Sequence, residues 1–192
     1  LSTGMATLEE IHLCLHALNP SQRELVTLLQ CTSNYPTALE ETNIRTISTM
    51  RNAFELPVGY SDHTNGSIAS IVAVGQEITV LEKHLTLDHS LPGPDHATSC
   101  DPDEFKSFVQ EIRNAETVLG SAEKKPTPSE EKNLYAMRRS LVAKKDLQKG
   151  ERVEAEAIAL KRPADGIAPM HYDLLIGRVL RRDKDRDSVF TW

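Results

Sequence analysis

The feature that most constrains the fold of this sequence is a regular alternation, over residues 1–119, of short apolar segments with amphipathic segments of helical period. The apolar segments are 25–29, 57–60 and 78–84, and the helical segments are 7–18, 44–54, 68–74 and 101–119. The apolar segments are continuous, as strands are when both of their faces are covered. Strands that alternate with helices of this length indicate βαβ units and a parallel sheet.

Polar clusters follow the predicted strands, at the carboxyl end of each. Ser2-Thr-Gly is the first of these clusters, if Leu1-Ser2 ends a fourth strand, and the others are Thr32-Ser-Asn-Tyr, Ser61-Asp-His and Glu82-Lys-His. In a (β/α)₈ barrel this rim is where the active site is built. Four βα units make half a barrel, which cannot close. The sequence therefore predicts an α/β fold in which residues 1–119 form the C-terminal half of a TIM barrel, and we expect four more units upstream of Leu1.

Charge divides the chain into two parts. Residues 1–119 hold 6 Lys/Arg and 16 Asp/Glu, a net charge of −10, whereas residues 120–192 hold 16 and 12, a net of +4. Residues 120–135 are rich in proline and charge, which is typical of a linker. We predict a first domain at 1–119, a linker at 120–135, and a small β-rich second domain at 136–192.

The composition excludes several classes of protein. The overall net charge of −6 argues against a general nucleic-acid binder. No apolar run approaches the roughly 18 residues of a membrane span. The three cysteines lack metal or redox spacing. They predict free thiols in a reducing compartment, so we expect a cytoplasmic protein without a membrane partner.

Two histidines end neighbouring predicted strands. His63 and His84 are 21 residues apart, one βα unit, and adjacent strands lie roughly 4.8 Å apart. The two imidazoles could share a divalent metal ion, or they could be separate rim residues with no metal. Asp62 is either an acceptor that fixes a histidine tautomer or an exposed loop carboxylate. Strand alternation places Glu82 on the face of His84 and turns Lys83 away.

Hydroxyl groups at three strand ends suggest an anion site. Ser2, Ser33 and Ser61, with the amides that begin the following helices, could cradle an anion, although each serine alone could be a helix cap. The carboxylate of Asp95 lies in a proline-rich loop at 91–96. It could bind a polyhydroxy substrate, or it could bond its own backbone in a turn.

Taken in order, these motifs resemble the sialic acid synthase family over essentially the whole chain. The matching stretches are Ser2-Thr-Gly-Met5, Cys31-Thr-Ser-Asn-Tyr-Pro-Thr37, Gly59-Tyr-Ser-Asp-His-Thr64, Glu82-Lys-His-Leu-Thr86 and Pro92-Gly-Pro-Asp-His96, followed past the linker by Arg139-Ser-Leu-Val-Ala143, Lys149-Gly150 and Lys161-Arg-Pro163. The second domain resembles the antifreeze-like (SAF) module that ends these enzymes.

The resemblance implies a metal-assisted condensation of phosphoenolpyruvate with an N-acetylated hexosamine, giving a nine-carbon 2-keto sugar acid and phosphate. It implies Mn²⁺ or Mg²⁺ on His63 and His84, the phosphoenolpyruvate carboxylate on Ser2, its phosphate on Ser33 and Ser61, and the sugar on Tyr35 and Asp95. His63, His84 and Glu82 are the predicted catalytic residues. The motif Pro92-Gly-Pro-Asp-His96 favours the sialic or legionaminic branch over the pseudaminic one.

The resemblance also implies a domain-swapped homodimer, in which the SAF module brings Arg162 to the sugar in the partner's site. A solvated surface arginine is the alternative for Arg162. Because the upstream half is absent, we expect residues 1–192 alone to be inactive. Two other functions stay open: a different barrel lyase or aldolase that uses phosphoenolpyruvate, and a non-catalytic carbohydrate-binding or ice-binding protein built on the SAF module.

Overall fold

The computed structural model describes residues 1–192 and divides them into two units, Leu1–Ser121 and Ala122–Trp192. In the first unit, strands β1 (Leu28–Cys31), β2 (Val58–Asp62) and β3 (Leu81–Lys83) form a parallel sheet in the order β1-β2-β3. Ser2 adds a parallel bridge to Leu29 at the β1 edge of the sheet. The parallel sheet and its crossover helices confirm the α/β prediction, while the half-barrel stays a prediction.

Helices connect and flank these strands. They are α1 (Leu8–His16), α2 (Pro20–Arg23), α3 (Thr46–Phe54), α4 (Ile68–Val74) and α5 (Pro102–Leu119), with short 3₁₀ turns at Leu39–Glu41 and His96–Thr98. A capping box at Thr7 begins α1, and another at Asp101 begins α5, where Glu104 closes the reciprocal bond. Gly120 follows the last residue of α5 with φ of +58°, a conformation that favours glycine.

The largest differences from the sequence prediction lie at α2, β1 and β3. Helix α2, capped by Asn19, was not predicted, and β1 begins three residues later than expected because residues 24–27 leave this helix through a turn. Leu25, placed in the strand by its apolar character, is 86% exposed. Strand β3 is shorter than the predicted 78–84 because Glu77 adopts φ of +57° and the chain joins the sheet only after it.

The core of the first unit lies between one face of the sheet and the helices. Leu28, Val58 and Tyr60 point to this face, and they pack against Ile11, Leu15, Ile44, Ile47, Met50, Ala69 and Ala73. Because side chains alternate along a strand, Cys31 and Ser61 point to the opposite face. Helix α5 contributes Phe108 and Ile112 beside Val74. The apolar periodicity of residues 101–119 also predicts Val109 and Leu119 on the core face. That prediction is wrong, because these two residues are 39% and 53% exposed.

The second unit has its own core. Strands β4 (Ser140–Ala143) and β5 (Ile158–Lys161) pair antiparallel. The single-turn helices are α6 (Pro128–Glu131), α7 (Leu134–Met137) and α8 (Tyr172–Leu175), and 3₁₀ turns lie at Ala155–Ala157 and Pro169–His171. The core residues are Leu141, Ala143, Leu147, Val153, Ala157, Ile158, Ile167, Leu175 and Phe190. None of the helices in either unit has the length and apolar character that crossing a membrane requires.

Candidate active site

The carboxyl ends of β2 and β3 bring the two predicted histidines together. His63 directly follows β2 and His84 directly follows β3, and the centroids of their rings are 4.9 Å apart at an interplanar angle of 69°. Both side chains are half-buried. The register of the sheet explains this proximity, since Asp62 pairs with Lys83 one residue earlier on each strand.

The tautomer of His63 is fixed by a backbone contact. Its Nδ1 lies 2.8 Å from the carbonyl oxygen of Thr32. A carbonyl can only accept, so Nδ1 donates and the neutral ring keeps its lone pair on Nε2. That Nε2 lies 3.5 Å from the Ser61 hydroxyl oxygen. A histidine held in this way through one nitrogen is prepared to bind a cation through the other.

Tyr35 forms one wall of the histidine pair. Its ring centroid is 4.2 Å from that of His84 and 5.2 Å from that of His63. The Tyr35 hydroxyl donates to the carbonyl oxygen of Thr98 at 3.0 Å, which ties the segment after β1 to the loop after β3. The predicted sugar contact of Tyr35 can therefore use its ring, or its hydroxyl oxygen as an acceptor, without breaking the bond to Thr98.

A serine and a glutamate lie beside the histidines. Ser61 and Glu82 are partners in the strand register, and the Ser61 hydroxyl donates to Glu82 Oε1 at 2.7 Å. The Cys31 thiol is 3.9 Å from His63 Nδ1 on the same face of the sheet. Burial raises the pKa of this thiol, a hydrogen bond with Ser61 opposes the rise, and the Glu82 charge adds to it. The sequence had assigned no role to Cys31.

Both interpretations offered for Asp62 were wrong. Its carboxylate is neither exposed nor bonded to His63: it is fully buried, and Oδ2 lies 3.2 Å from the ammonium of Lys83. The reason is alternation, which turns residue 62 toward the helices with Tyr60 rather than toward the rim. The same rule correctly placed Lys83 away from the face of His84.

The predicted anion and sugar residues lie at several places. Ser2 and Ser33 are both exposed. Their segments are adjacent, because a Cβ built on Gly4 would come within 2.7 Å of Ser33 Oγ. Asp95 is exposed, and its backbone carbonyl oxygen accepts from the Ser99 amide at 3.0 Å. The turn is therefore held by the backbone of Asp95 and not by its carboxylate. The alternative in which the side chain bonds its own backbone is not observed. Arg162 lies in the second unit, where its Nε donates to Met137 O at 2.8 Å.

A second cluster of possible metal ligands lies at the start of α5. The ligand atoms of His89, Asp101 and Glu104 lie within 4.8 Å of one another. The two carboxylates already serve the capping box: Asp101 Oδ1 accepts from the amide of Glu104 at 2.8 Å, and Glu104 Oε2 accepts from the amide of Asp101 at 2.9 Å. Helix capping accounts for the two carboxylates, and His89 Nε2 lies 3.4 Å from Glu104 Oε2.

The donor set of His63 and His84 fits a divalent cation. Two imidazoles supply two ligands and leave the other coordination positions for substrate and water. Mg²⁺ prefers oxygen ligands. Of the two ions that the resemblance implies, Mn²⁺ therefore suits this pair better.

Comparison with known proteins decides the family. Residues 1–124 match the NeuB family, and residues 138–192 match the SAF domain. The chain belongs to the NeuB family. The recognition from sequence motifs is thereby confirmed.

Individual relatives in the NeuB family support this assignment. The N,N'-diacetyllegionaminic acid synthase of Legionella pneumophila is 43% identical over 196 residues, which cover 100% of this chain and 55% of that protein. The pseudaminic acid synthase of Campylobacter jejuni is 37% identical over 183 residues, covering 95% and 53%. The chain thus spans about half the length of these curated relatives.

A solved structure shows the same family likeness. The N-acetylneuraminic acid synthetase of Leptospira borgpetersenii, in complex with citrate, superposes with a TM-score of 0.61 at 32% identity. The match covers 69% of this chain and 46% of that one.

Sequence reasoning missed the buried partners of this NeuB-family site. The alternation of side chains along a strand was a usable signal. It places Asp62 on the same face as Tyr60, and it turns Lys83 to that face of the neighbouring strand. Their pairing also depends on the register between β2 and β3, which the sequence does not state.

Proposed function

We propose that this chain is part of a synthase that condenses phosphoenolpyruvate with an N-acetylated hexosamine, and that His63 and His84 hold a divalent cation in its active site. The observation that carries the proposal is the histidine pair, in which the Nδ1 contact of His63 leaves Nε2 as the unprotonated nitrogen, beside the Ser61–Glu82 contact. Membership of the NeuB family and the names of its synthase relatives support it. When bound, such a cation supplies Lewis-acid polarisation of the sugar aldehyde.

The overall reaction balances with one water molecule. The methylene carbon of phosphoenolpyruvate forms a bond to the aldehyde carbon of the open-chain sugar, water adds to the resulting cationic carbon, and phosphate leaves as its bond to that carbon breaks. The products are the nine-carbon 2-keto acid and phosphate. The former aldehyde oxygen has to gain a proton, and the added water has to lose one. Glu82 is the carboxylate of the rim to which we assign acceptance of the proton from water.

The Ser61 hydroxyl constrains how phosphate is bound. A hydroxyl has one proton, and that of Ser61 is donated to Glu82. If Ser61 contacts the phosphate, as we propose, the hydroxyl has to rotate away from Glu82 and leave that carboxylate free to act as a base. Ser2 and Ser33, on adjacent segments, complete the proposed contacts to the carboxylate and phosphate.

The acceptor sugar is proposed from the relatives. Identity is 43% to the N,N'-diacetyllegionaminic acid synthase, over all of this chain, and 32% to the N-acetylneuraminic acid synthetase, over 69% of this chain. We therefore place a 2,4-diacetamido-trideoxyhexose ahead of N-acetylmannosamine. The Tyr35 ring and the unbonded carboxylate of Asp95 are the proposed sugar contacts.

Arg162 is a candidate contact of a partner subunit. The side chain is exposed, and only its Nε is bonded, so the two terminal nitrogens are free to bind a ligand. This agrees with the proposed domain-swapped homodimer, in which the SAF domain contributes to its neighbour's site.

The three free cysteines agree with a reducing, cytoplasmic location.

The test is phosphate release from phosphoenolpyruvate by the full-length protein, with Mn²⁺ and each candidate sugar. His63→Gln and His84→Gln should each lower turnover by at least 100-fold, since outer contacts alone are worth about 10- to 100-fold. His12→Gln on the exposed face of α1 is the matched control and should leave turnover unchanged. Full activity in either rim variant would overturn the proposal.

Two further comparisons separate the alternatives. Preference for arabinose 5-phosphate over the acetamido sugars would indicate a different barrel lyase or aldolase. Sugar or ice binding by residues 136–192 alone, together with unchanged binding in full-length His63→Gln protein, would indicate a non-catalytic protein. Residues 1–192 alone should show no turnover, and phosphate release by them would contradict the need for an upstream half.

A further inference from the structure

A buried ion pair lies directly behind the histidine pair. Asp62 and Lys83 face each other in the register of β2 and β3, with Lys83 Nζ 3.2 Å from Asp62 Oδ2. The exposed fractions of the two side chains are 0% and 2%. Each residue immediately precedes one of the histidines, and alternation turns it to the opposite face of the sheet.

The carboxylate of Asp62 fixes the chain on both sides of His63. Its Oδ1 accepts from the amide and the hydroxyl of Thr64, both at 2.8 Å, and from the Tyr60 hydroxyl at 3.4 Å. Oδ2 accepts from the Ser70 hydroxyl of α4. His63 is therefore held between two residues, at 62 and 64, that bond to each other across it.

The ammonium of Lys83 extends this hold across the strands. It donates to the carbonyl oxygen of Thr64 and, at 3.1 Å, to that of Gly66. Lys83 thus ties β3, one residue before His84, to the segment that follows His63. The ammonium and the carboxylate together have seven polar contacts within the protein.

We propose that Asp62 and Lys83 are positioning residues that set the separation of the His63 and His84 rings from behind the sheet. A buried ion pair is a weak source of stability, because desolvation offsets its attraction and apolar residues often replace it without loss. It is directional, however, and fixes one register and one spacing between the strands that carry the rings. The link to metal binding rests on the proposed function.

The test removes the pair without leaving a buried charge. Asp62→Asn/Lys83→Met, in the full-length protein, keeps an acceptor for the Thr64 amide and deletes both charges. We expect Mn²⁺ to bind about 10- to 100-fold more weakly, as when other groups that orient metal ligands are removed. Mn²⁺ binding is measured by the electron paramagnetic resonance signal of the free ion. The control is Arg113→Met/Glu116→Gln, which removes an exposed ion pair on α5. This control should leave the affinity for Mn²⁺ unchanged.

A second readout does not depend on metal or turnover. In protein labelled with ¹⁵N-histidine, the wild type should show a protected Nδ1 proton on His63 and a nuclear Overhauser contact between the His63 and His84 rings. The double variant should lose that contact. If wild-type protein binds no Mn²⁺, the proposed metal site fails, and the ring contact alone decides the positioning role.

Unchanged Mn²⁺ affinity together with an unchanged ring contact, in a folded double variant, would overturn the proposal. If that variant does not fold, Lys83→Arg replaces it, since it keeps the charge and alters only the length and shape of the donor. Lys83→Arg should weaken Mn²⁺ binding and shift the histidine signals. Wild-type behaviour in Lys83→Arg would overturn the proposal equally.

Discussion

At the scale of the residue, Tyr60 makes the stability of the first unit sensitive to alkaline pH. Its side chain is 1% exposed. Burial, and then the nearby Asp62 charge, raises the pKa of the Tyr60 phenol well above its ordinary value. Above pH of about 10 the unfolded chain loses this proton and the folded chain keeps it. Folding stability should therefore fall with rising pH, by at most about 1.4 kcal/mol per pH unit from this group.

The comparison that isolates this effect is Tyr60→Phe. The hydroxyl is one of several donors to Asp62, so its loss should cost within about 1 kcal/mol at pH 7. Urea unfolding of the full-length protein from pH 8 to pH 11 should show a shallower decline for Tyr60→Phe than for wild type. The control is Tyr135→Phe, at an exposed tyrosine of the second unit. Its folding stability should decline with pH as that of wild type does. Parallel curves for Tyr60→Phe and wild type would contradict the assignment.

The candidate site shows how far single residues can be predicted from sequence. The proximity of His63 and His84 followed from their spacing of one βα unit, because parallel strands end at one edge of a sheet. The bonds that orient them did not follow. The partner of His63 is a backbone carbonyl at Thr32, and the sequence pattern carries no information on where a carbonyl points. The Asp62–Lys83 contact required a register that only tertiary packing fixes.

At the scale of the element, β2 depends on the absence of a side chain at Gly59. A Cβ at this position would lie 2.4 Å from the backbone oxygen of Val80 and 2.6 Å from Leu29 Cδ2. Backbone cannot yield as a flexible side chain does, so Gly59→Ala should separate β2 from β3. We expect it to lower the free energy of unfolding by about 1–3 kcal/mol, the usual cost of overpacking.

Gly75→Ala is the matched control for this strand substitution. Gly75 ends α4 with an ordinary helical φ, and the nearest atom to an added Cβ is 3.3 Å away. Urea unfolding should find Gly75→Ala within about 1 kcal/mol of wild type. Equal stability losses for the two substitutions would show that β2 and β3 adjust to the added methyl group.

Elements with strong terminal signals could be predicted well, and short ones could not. The capping boxes at Thr7 and Asp101 gave the starts of α1 and α5, and the glycine at 120 gave the end of α5. Helix α2 is a single turn, with too few residues for an apolar period. Helix α5 carries an apolar stripe, but only part of it packs against the rest of this unit, and Val109 and Leu119 lie in the part that stays exposed. Periodicity gives the direction of a face but not its extent.

At the scale of the whole molecule, each of the two units should stay folded after cleavage between them. Residues 120–127 contain neither helix nor strand, and Lys124 and Lys125 are exposed. Trypsin cuts poorly before proline, and Pro126 follows Lys125, so the first cut between the two units should fall after Lys124. The fragment that begins at Lys125 should resist further digestion, because the second unit has its own core around Leu141, Val153 and Phe190.

Lys124→Gln isolates that first cut and tests the independence of the two units. The variant should slow release of the fragment several-fold and leave all other cleavages unchanged, as followed by mass spectrometry over time. The purified fragment should unfold in a single cooperative transition on heating, since an apolar core without disulfides stabilises a chain only as a unit. Early cuts at the arginines and lysines of residues 138–192 would instead mean that the second unit requires the first to stay folded.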